Sequence, residues 1–304
     1  MELSGVAIVT GAGGGIGSAV AERLAAEGCS LVLADRDPAS LEAAGERARG
    51  AARDGVVVRL LEGDVGDVGH HAALVAAAED LGGLALSVLN AGVYLPGLSW
   101  EMPLGQWELQ TRVNYWGVVH GVRAAVPVML ARGRGHVVAV ASGAGLVATP
   151  GLAPYVATKH AVVGLMESLH HELVRVQGAS GGTYAGGDRG ASVGASVGES
   201  VGESVGASVV CPGNVRTPMA ANSLAAAGVD DERLDGVAAS VARAVRAGND
   251  AGGDPATVAD AVVAAVREGR FWVLPQPEVG LGALDRFQRL ARGDAPVDLL
   301  PPGE

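Results

Sequence analysis

The chain has 304 residues, 49% hydrophobic and 18% charged, with a formal net charge of −11. The apolar content is enough to bury a core and excludes wholesale disorder, while the acidic balance disfavours binding to nucleic-acid phosphates. Glycine is abundant at 47 residues, but without the three-residue period of collagen.

Short apolar runs alternate with helical patterns along the first two hundred residues. Val6–Thr10 reads as a buried strand, followed by glycines and a helix over Ile16–Glu27. A second strand, Ser30–Asp35, leads to a helix over Pro38–Arg53, and a third, Val56–Glu62, to a helix over Val68–Leu81. Leu84–Leu89 is a fourth strand. A long helix follows Pro103, over Leu104–Ala131, and then a fifth strand, His136–Ala141. Pro154 suits the first turn of a helix running to Gln177. Ala207–Cys211 is a sixth strand, Pro255–Glu268 a last helix, and Phe271–Leu274 a short final strand. Strands alternating with helices in this way predict a mainly parallel sheet of about seven strands with helices on both faces. The fold class is a single doubly wound α/β domain of the Rossmann kind.

Residues 178–206 break the alternation. Ala191–Gly206 is four tandem copies of [Ala/Glu]-Ser-Val-Gly, and Ala207-Ser208-Val209 begins a fifth. A period of four matches neither strand nor helix, so the segment reads as a flexible surface insertion. Its likeness to the start of the sixth strand leaves that strand's register open, since another copy offers the same residues. Met219–Gly228 reads as a lid over the site. In the tail, 275–304, the amphipathic stretch Leu281–Leu290 is expected to pack on the domain or on a neighbouring subunit.

Targeting and metal signals are lacking. The N-terminus has no basic region before its first strand, and no run of about 18 apolar residues occurs, so neither a signal peptide nor a membrane span is expected. Cys29 and Cys211 are too few for a disulfide framework, which suits a cytoplasmic protein. His70-His71 and His170-His171-Glu172 lack zinc-type spacing. Trp100, Trp107 and Trp116 read as packing or interface residues.

Of 22 basic residues, 21 are Arg and one is Lys159. Asn, Tyr, Phe and Ile are also scarce, as expected of a GC-rich genome. A lysine that persists against that drift marks a place where a compact ammonium is needed and a guanidinium does not serve.

Four groups of residues carry chemistry. In Thr10–Gly17, the glycines Gly11, Gly15 and Gly17 let the backbone turn tightly and approach a pyrophosphate at a helix N-terminus. Asp35, ending the second strand, can accept from ribose hydroxyls and repel a 2′-phosphate, favouring NAD over NADP; Arg36 beside it argues the other way, since a guanidinium pairs with phosphate. Tyr155 and Lys159 lie one helical turn apart on one face, where the cation favours phenolate and tunes Tyr155 for proton transfer. Ser142 closes the fifth strand, where its hydroxyl can donate to a developing alkoxide.

Together these motifs resemble the short-chain dehydrogenase/reductase family. The resemblance covers Leu3 to about Leu274 apart from the insertion. It rests on the order of Thr10–Gly17, Asp64-Val65, Asn90-Ala91-Gly92, Asn114, Ser142, Tyr155-x-x-x-Lys159 and Pro212-Gly213-x-x-x-Thr217. It implies that Tyr155 moves the proton at the substrate oxygen. Lys159 would hold the nicotinamide ribose and lower the Tyr155 pKa, and Ser142 would polarise the carbonyl. Asn114 would hold a helix kink and a water. Gly11, Gly15, Ile16 and Gly17 would cradle the diphosphate, with Asp35 and Arg36 at the ribose. Asp64 and Val65 would contact adenine. Asn90, Ala91 and Gly92 would line the cofactor, and Pro212, Gly213, Val215 and Thr217 would border the nicotinamide.

The implied activity interconverts a secondary alcohol and a ketone with NAD. Val93–Pro96, Gly143–Leu152 and the loop after Thr217 form a small, apolar wall, so the expected substrate is hydrophobic. Neither nucleic acid nor membrane is an expected partner. The helices Leu104–Ala131 and Pro154–Gln177 resemble those that build the family's dimer contact, so a homo-oligomer, tetramer or dimer, is expected. The competing reading is a non-catalytic dinucleotide-binding or scaffolding protein on the same fold, which would not need the set Asn114, Ser142, Tyr155 and Lys159.

Overall fold

A computed structural model describes residues 4–179, 204–230, 234 and 236–297. Seven parallel strands form one sheet in the order β3-β2-β1-β4-β5-β6-β7. They are β1 (Val6–Thr10), β2 (Ser30–Asp35), β3 (Val58–Glu62), β4 (Leu84–Leu89), β5 (Gly135–Val140), β6 (Val205–Val210) and β7 (Trp272–Val273). The helices are α1 (Gly15–Glu27), α2 (Pro38–Ala51), α3 (Val68–Asp80), α4 (Leu104–Thr111), α5 (Gly117–Arg132), α6 (Ala153–Ala179), α7 (Met219–Ala227), α8 (Gly236–Asp250), α9 (Pro255–Glu268) and α10 (Pro277–Arg292).

The apolar runs of the strands follow from burial on both faces. Side chains alternate across a strand. Ala7, Val9, Leu31 and Leu33 enter one core with α1, α2 and α9, whereas Val6, Ile8, Val32 and Ala34 enter the other with α3, α5 and α6. Helix starts follow local chemistry. Asp37, Asp67 and Asp254 cap α2, α3 and α9 by accepting from the N–H groups of Ser40, Gly69 and Ala256. Helix α1 is different: Gly14 at its start offers no side-chain cap, so its first N–H groups remain available to a ligand.

The order of the strands reverses between β1 and β4, since β2 and β3 lie to one side of β1 and the later strands to the other. Such a reversal opens a crevice at the carboxyl ends of the strands. The glycine loop, Asp35, Asp64, Asn90, Ser142, Tyr155 and Pro212 all line it.

Three expectations change in detail. The helix predicted over Leu104–Ala131 is interrupted by a π-turn, Arg112–Trp116, which contains Asn114. The predicted insertion 178–206 is shorter at both ends: Gly178 and Ala179 complete α6, and Val205 and Gly206 begin β6, while 180–203 lie outside the described residues. The tail helix is longer than Leu281–Leu290. It meets the core edge through Val279 and Ala283, but Leu281, Leu284, Phe287 and Leu290 are exposed, so the predicted stripe does not pack on this chain among the described residues.

The register left open by the repeats is settled by packing. In β6, Ala207 and Val209 are buried and pair with Val137 and Ala139. A slip of one tetrapeptide would carry Glu203 into the dry position of Ala207, which costs several kcal/mol unless the carboxylate is paired. Gln177, near the end of α6, also grips the first residue of the strand. Its Oε1 accepts from Val205 N at 2.6 Å and its Nε2 donates to Val205 O at 3.0 Å. Gln177→Leu removes both bonds and is expected to destabilise the protein by about 1–3 kcal/mol. Urea denaturation measures this, and an unchanged midpoint would show that Gln177 does not hold the register.

Candidate active site

The crevice is an open cavity of about 1010 Å³ lined by the glycine loop, the ends of β2 to β6, and helices α7 and α8. At its centre the glycine loop is built by close approach. A Cβ on Gly17 would land on the Gly11 carbonyl oxygen, and one on Gly11 would stand 2.7 Å from Ala91 Cα. Gly11 and Gly15 have φ of 64° and 54°, the left-handed region that glycine adopts without strain. Asn90 Nδ2 donates to Thr10 O and Gly11 O at 3.0 and 3.1 Å, and Asn90 N donates to the Thr10 hydroxyl at 3.0 Å. Thr217 packs against Gly15 from above. Ile16, on the first turn of α1, also lines the cavity.

At one end lie Asp35, Arg36, Asp64 and Val65. Asp35 accepts from Gly13 N at 2.9 Å and Asp37 N at 3.1 Å, so its carboxylate supports the loop besides facing the cavity. Burial works against the charge of Asp64, but bonds from the Arg112 guanidinium and Gly66 N hold its carboxyl below the usual range. The buried Val65 offers its carbonyl to His71 at 3.0 Å. Burial takes that imidazole down to about 4, so it is neutral, as a packing residue should be.

At the other end Ser142, Tyr155 and Lys159 converge. The buried Lys159 ammonium donates to Val140 O at 2.9 Å and stands 5.6 Å from the Tyr155 ring centroid. Burial lowers its pKa to about 8. Tyr155 is also pushed up by burial, and a hydrogen bond with the Ser142 side chain only partly offsets this. The net direction is upward, opposite to the expected lowering, because desolvation penalises the charged phenolate. Ser142 Oγ accepts from Ala144 N at 3.1 Å, so its own proton is left for an oxygen in front of it. Cys211 lies beneath, buried, with its thiol pushed up to about 12; it is inert packing.

Asn114 is fully buried. Its Oδ1 accepts from Val93 N at 2.8 Å, and its Nδ2 donates to Val93 O at 2.8 Å and to the Thr158 hydroxyl at 3.0 Å. Both amide hydrogens are thus used in tying the π-turn to the loop after β4 and to α6. A water there would have to donate to the remaining lone pair of Oδ1. Gly92 lies beside both groups: a Cβ on it would be 3.4 Å from Asn114 Oδ1 and 3.4 Å from Lys159 Nζ.

Val215 has a particular place. It forms a parallel bridge with Gly253, in which Gly253 N donates to Asn214 O and Arg216 N donates to Gly253 O, both at 3.0 Å. Bridge geometry turns the N–H and C=O of Val215 itself to the opposite side, and among the described residues they have no partner. A backbone donor–acceptor pair at the cavity wall suits a carboxamide. With the uncapped start of α1 and the Cβ-free loop, it fits a nicotinamide dinucleotide.

Sequence reasoning missed α8, whose Ala244, Val245, Gly248 and Asn249 line the cavity. Val237, Val241 and Val245, spaced by four, are the helical signal that was available. It also missed Gln276, which no motif marks. The predicted lid is α7, where Ser223 Oγ accepts from Tyr94 N at 3.1 Å.

A family model described as short chain dehydrogenase matches residues 5–182. A 2-(R)-hydroxypropyl-CoM dehydrogenase from Xanthobacter autotrophicus is 34% identical over 262 residues, covering 82% of this chain and 93% of that protein. An uncharacterised NAD-dependent oxidoreductase from Mycobacterium tuberculosis is 41% identical over 180 residues, or 55% of this chain. The curated relatives matched at 41% identity are spanned over only 13% to 66% of their own length. A solved short-chain dehydrogenase/reductase from Burkholderia phymatum, in complex with NAD, superposes with a TM-score of 0.85 at 32% identity, covering 99% of this chain and all of that one.

The buried ammonium makes a prediction about stability. Lys159 has a folded pKa of about 8 against 10.5 in its ordinary state. Between those values the unfolded chain holds a proton that the native state has released, so stability gains as pH rises through that window. The stability of the wild type relative to Lys159→Met should therefore improve from pH 8 to 10.5 and stay level below pH 7. Guanidinium denaturation across that range measures it; a difference independent of pH would contradict the burial of the charge.

Proposed function

The chain belongs to the short-chain dehydrogenase family, and from that premise we propose that it interconverts a hydrophobic secondary alcohol and a ketone, using NAD(H) in preference to NADP(H). The observation that carries this reading is the convergence of Ser142, Tyr155 and Lys159 at one end of a cavity that has the glycine loop at its centre and Asp35 at its other end. A protein that only bound or scaffolded would have no use for a buried ammonium behind a half-buried phenol.

The bound dinucleotide supplies or accepts the hydride. Asp35, held in place by Gly13 N and Asp37 N, accepts from ribose hydroxyls and repels a 2′-phosphate. Val215 orients the carboxamide through its free peptide groups. Ser142 donates to the substrate oxygen. Tyr155, whose phenol desolvation favours in its protonated form, gives its proton to that oxygen when a ketone is reduced and recovers it when an alcohol is oxidised. Lys159 stabilises the phenolate left after transfer. Tyr94, whose ring lies edge-on to Tyr155 at 6.0 Å, and Leu152 form an apolar cluster with Met219 and Val245 above the phenol, which suits an apolar substrate.

Tyr155→Phe should leave NADH binding unchanged and cut turnover by about 10²–10⁴-fold. NADH fluorescence titration and absorbance kinetics on a panel of apolar alcohols and ketones measure the two effects. Turnover that survives the change sinks the assignment, and wild-type kcat/KM higher with NADP than with NAD sinks the role of Asp35.

A homo-oligomer in the cytoplasm completes the proposal. The exposed stripe of α10 and the exposed Trp116 support association, and the buried Cys29 and Cys211, neither of them in a disulfide, support a reducing compartment. Light scattering in solution should give the mass of a dimer or tetramer.

A further inference from the structure

The segment after β7 reaches back to the loop that borders the nicotinamide end. Gln276, just before α10, accepts from Gly213 N through Oε1 at 2.9 Å, and its Nε2 lies 3.5 Å from Asn214 O. Three residues on, Val279 packs against both walls of the reaction end: a Cβ on Gly213 would meet it at 3.3 Å and one on Gly143 at 3.4 Å. Gly143 N in turn donates to Pro212 O at 2.8 Å. From the opposite side, Gly253 N donates to Asn214 O, and Arg216 N to Gly253 O.

The loop 212–216 is therefore gripped from two sides. The turn between α8 and α9 holds it through Asn214 and Arg216, and the start of α10 holds it through Gly213. With Gly213 N, Asn214 O and Arg216 N so occupied, the loop is fixed on both sides of Val215, whose own N–H and C=O have no partner among the described residues. Each grip removes an alternative orientation of the loop.

We propose that Gln276 is a positioning residue for the nicotinamide end of the cofactor: by fixing the Gly213 peptide it sets the orientation in which Val215 presents its N–H and C=O. This rests on the cofactor reading above. Gln276 acts through the loop, so its effect should be confined to the nicotinamide half of the ligand.

The test compares NADH with ADP-ribose, which shares the adenosine diphosphate and a ribose but has no nicotinamide ring. Gln276→Met keeps length and packing but has no strong acceptor for Gly213 N. Gln276→Glu keeps the acceptor and loses only the longer contact to Asn214 O. Calorimetric titration of purified full-length protein should show NADH binding to Gln276→Met weakened about tenfold, the expected size of one lost buried hydrogen bond. ADP-ribose affinity should stay unchanged, and Gln276→Glu should restore most of the NADH affinity. Equal weakening of both ligands, or of neither, overturns the positioning role, as does a Gln276→Glu that behaves like Gln276→Met. A wild type that binds neither ligand overturns instead the cofactor reading on which this rests.

Discussion

The site depends first on two backbones that touch. Where β1 and β4 separate, the glycine loop turns back so closely that Gly11 abuts Ala91 and Gly17 abuts Gly11. Asn90 holds that approach by donating to two successive carbonyls, Thr10 and Gly11, which would otherwise face each other's partial negative charge in a partly dry place. The start of α1 is left uncapped as a result. Its N–H groups form an anion site, and the crevice around it follows from the reversal of strand order.

A second fixed point lies at the other end of the crevice. The π-turn in the helix after Pro103 places Asn114 where its amide reaches both the Val93 peptide and Thr158. Thr158 is the residue before Lys159 and donates to the Tyr155 carbonyl at 2.8 Å. One amide thus couples the loop after β4 to the turn of α6 that carries the phenol and the ammonium. The ammonium is buried and the phenol half-buried, and desolvation is the largest influence on the protonation of each. The chemistry of the pair is set by its environment as much as by the four-residue spacing.

The two ends differ in how they could be read. The glycine loop, Asp35 and Tyr155/Lys159 were legible because each is local: tight turns, strand ends and helical spacing are encoded over a few residues. The scarcity of lysine added a signal that spacing alone lacks. Gln276 left no such trace. It lies 63 residues from the peptide it holds, and nothing near it in the chain differs from an ordinary helix start.

The sequence by itself determined the alternation of strands and helices, burial of the sheet on both faces, and the residues that meet at the crevice, because hydrophobic period and turn chemistry are local. Only the tertiary structure decided the rest. Packing chose which of several equivalent repeats becomes β6, since a slip buries Glu203. Desolvation raises the Tyr155 pKa. The exposed stripe of α10 and the grip of Gln276 on Gly213 arise where segments distant in sequence meet. The abundant glycine is resolved in the same way: at Gly11, Gly15 and Gly17 it is a requirement of close contact and φ, while Gly50, Gly105 and Gly164 face open space.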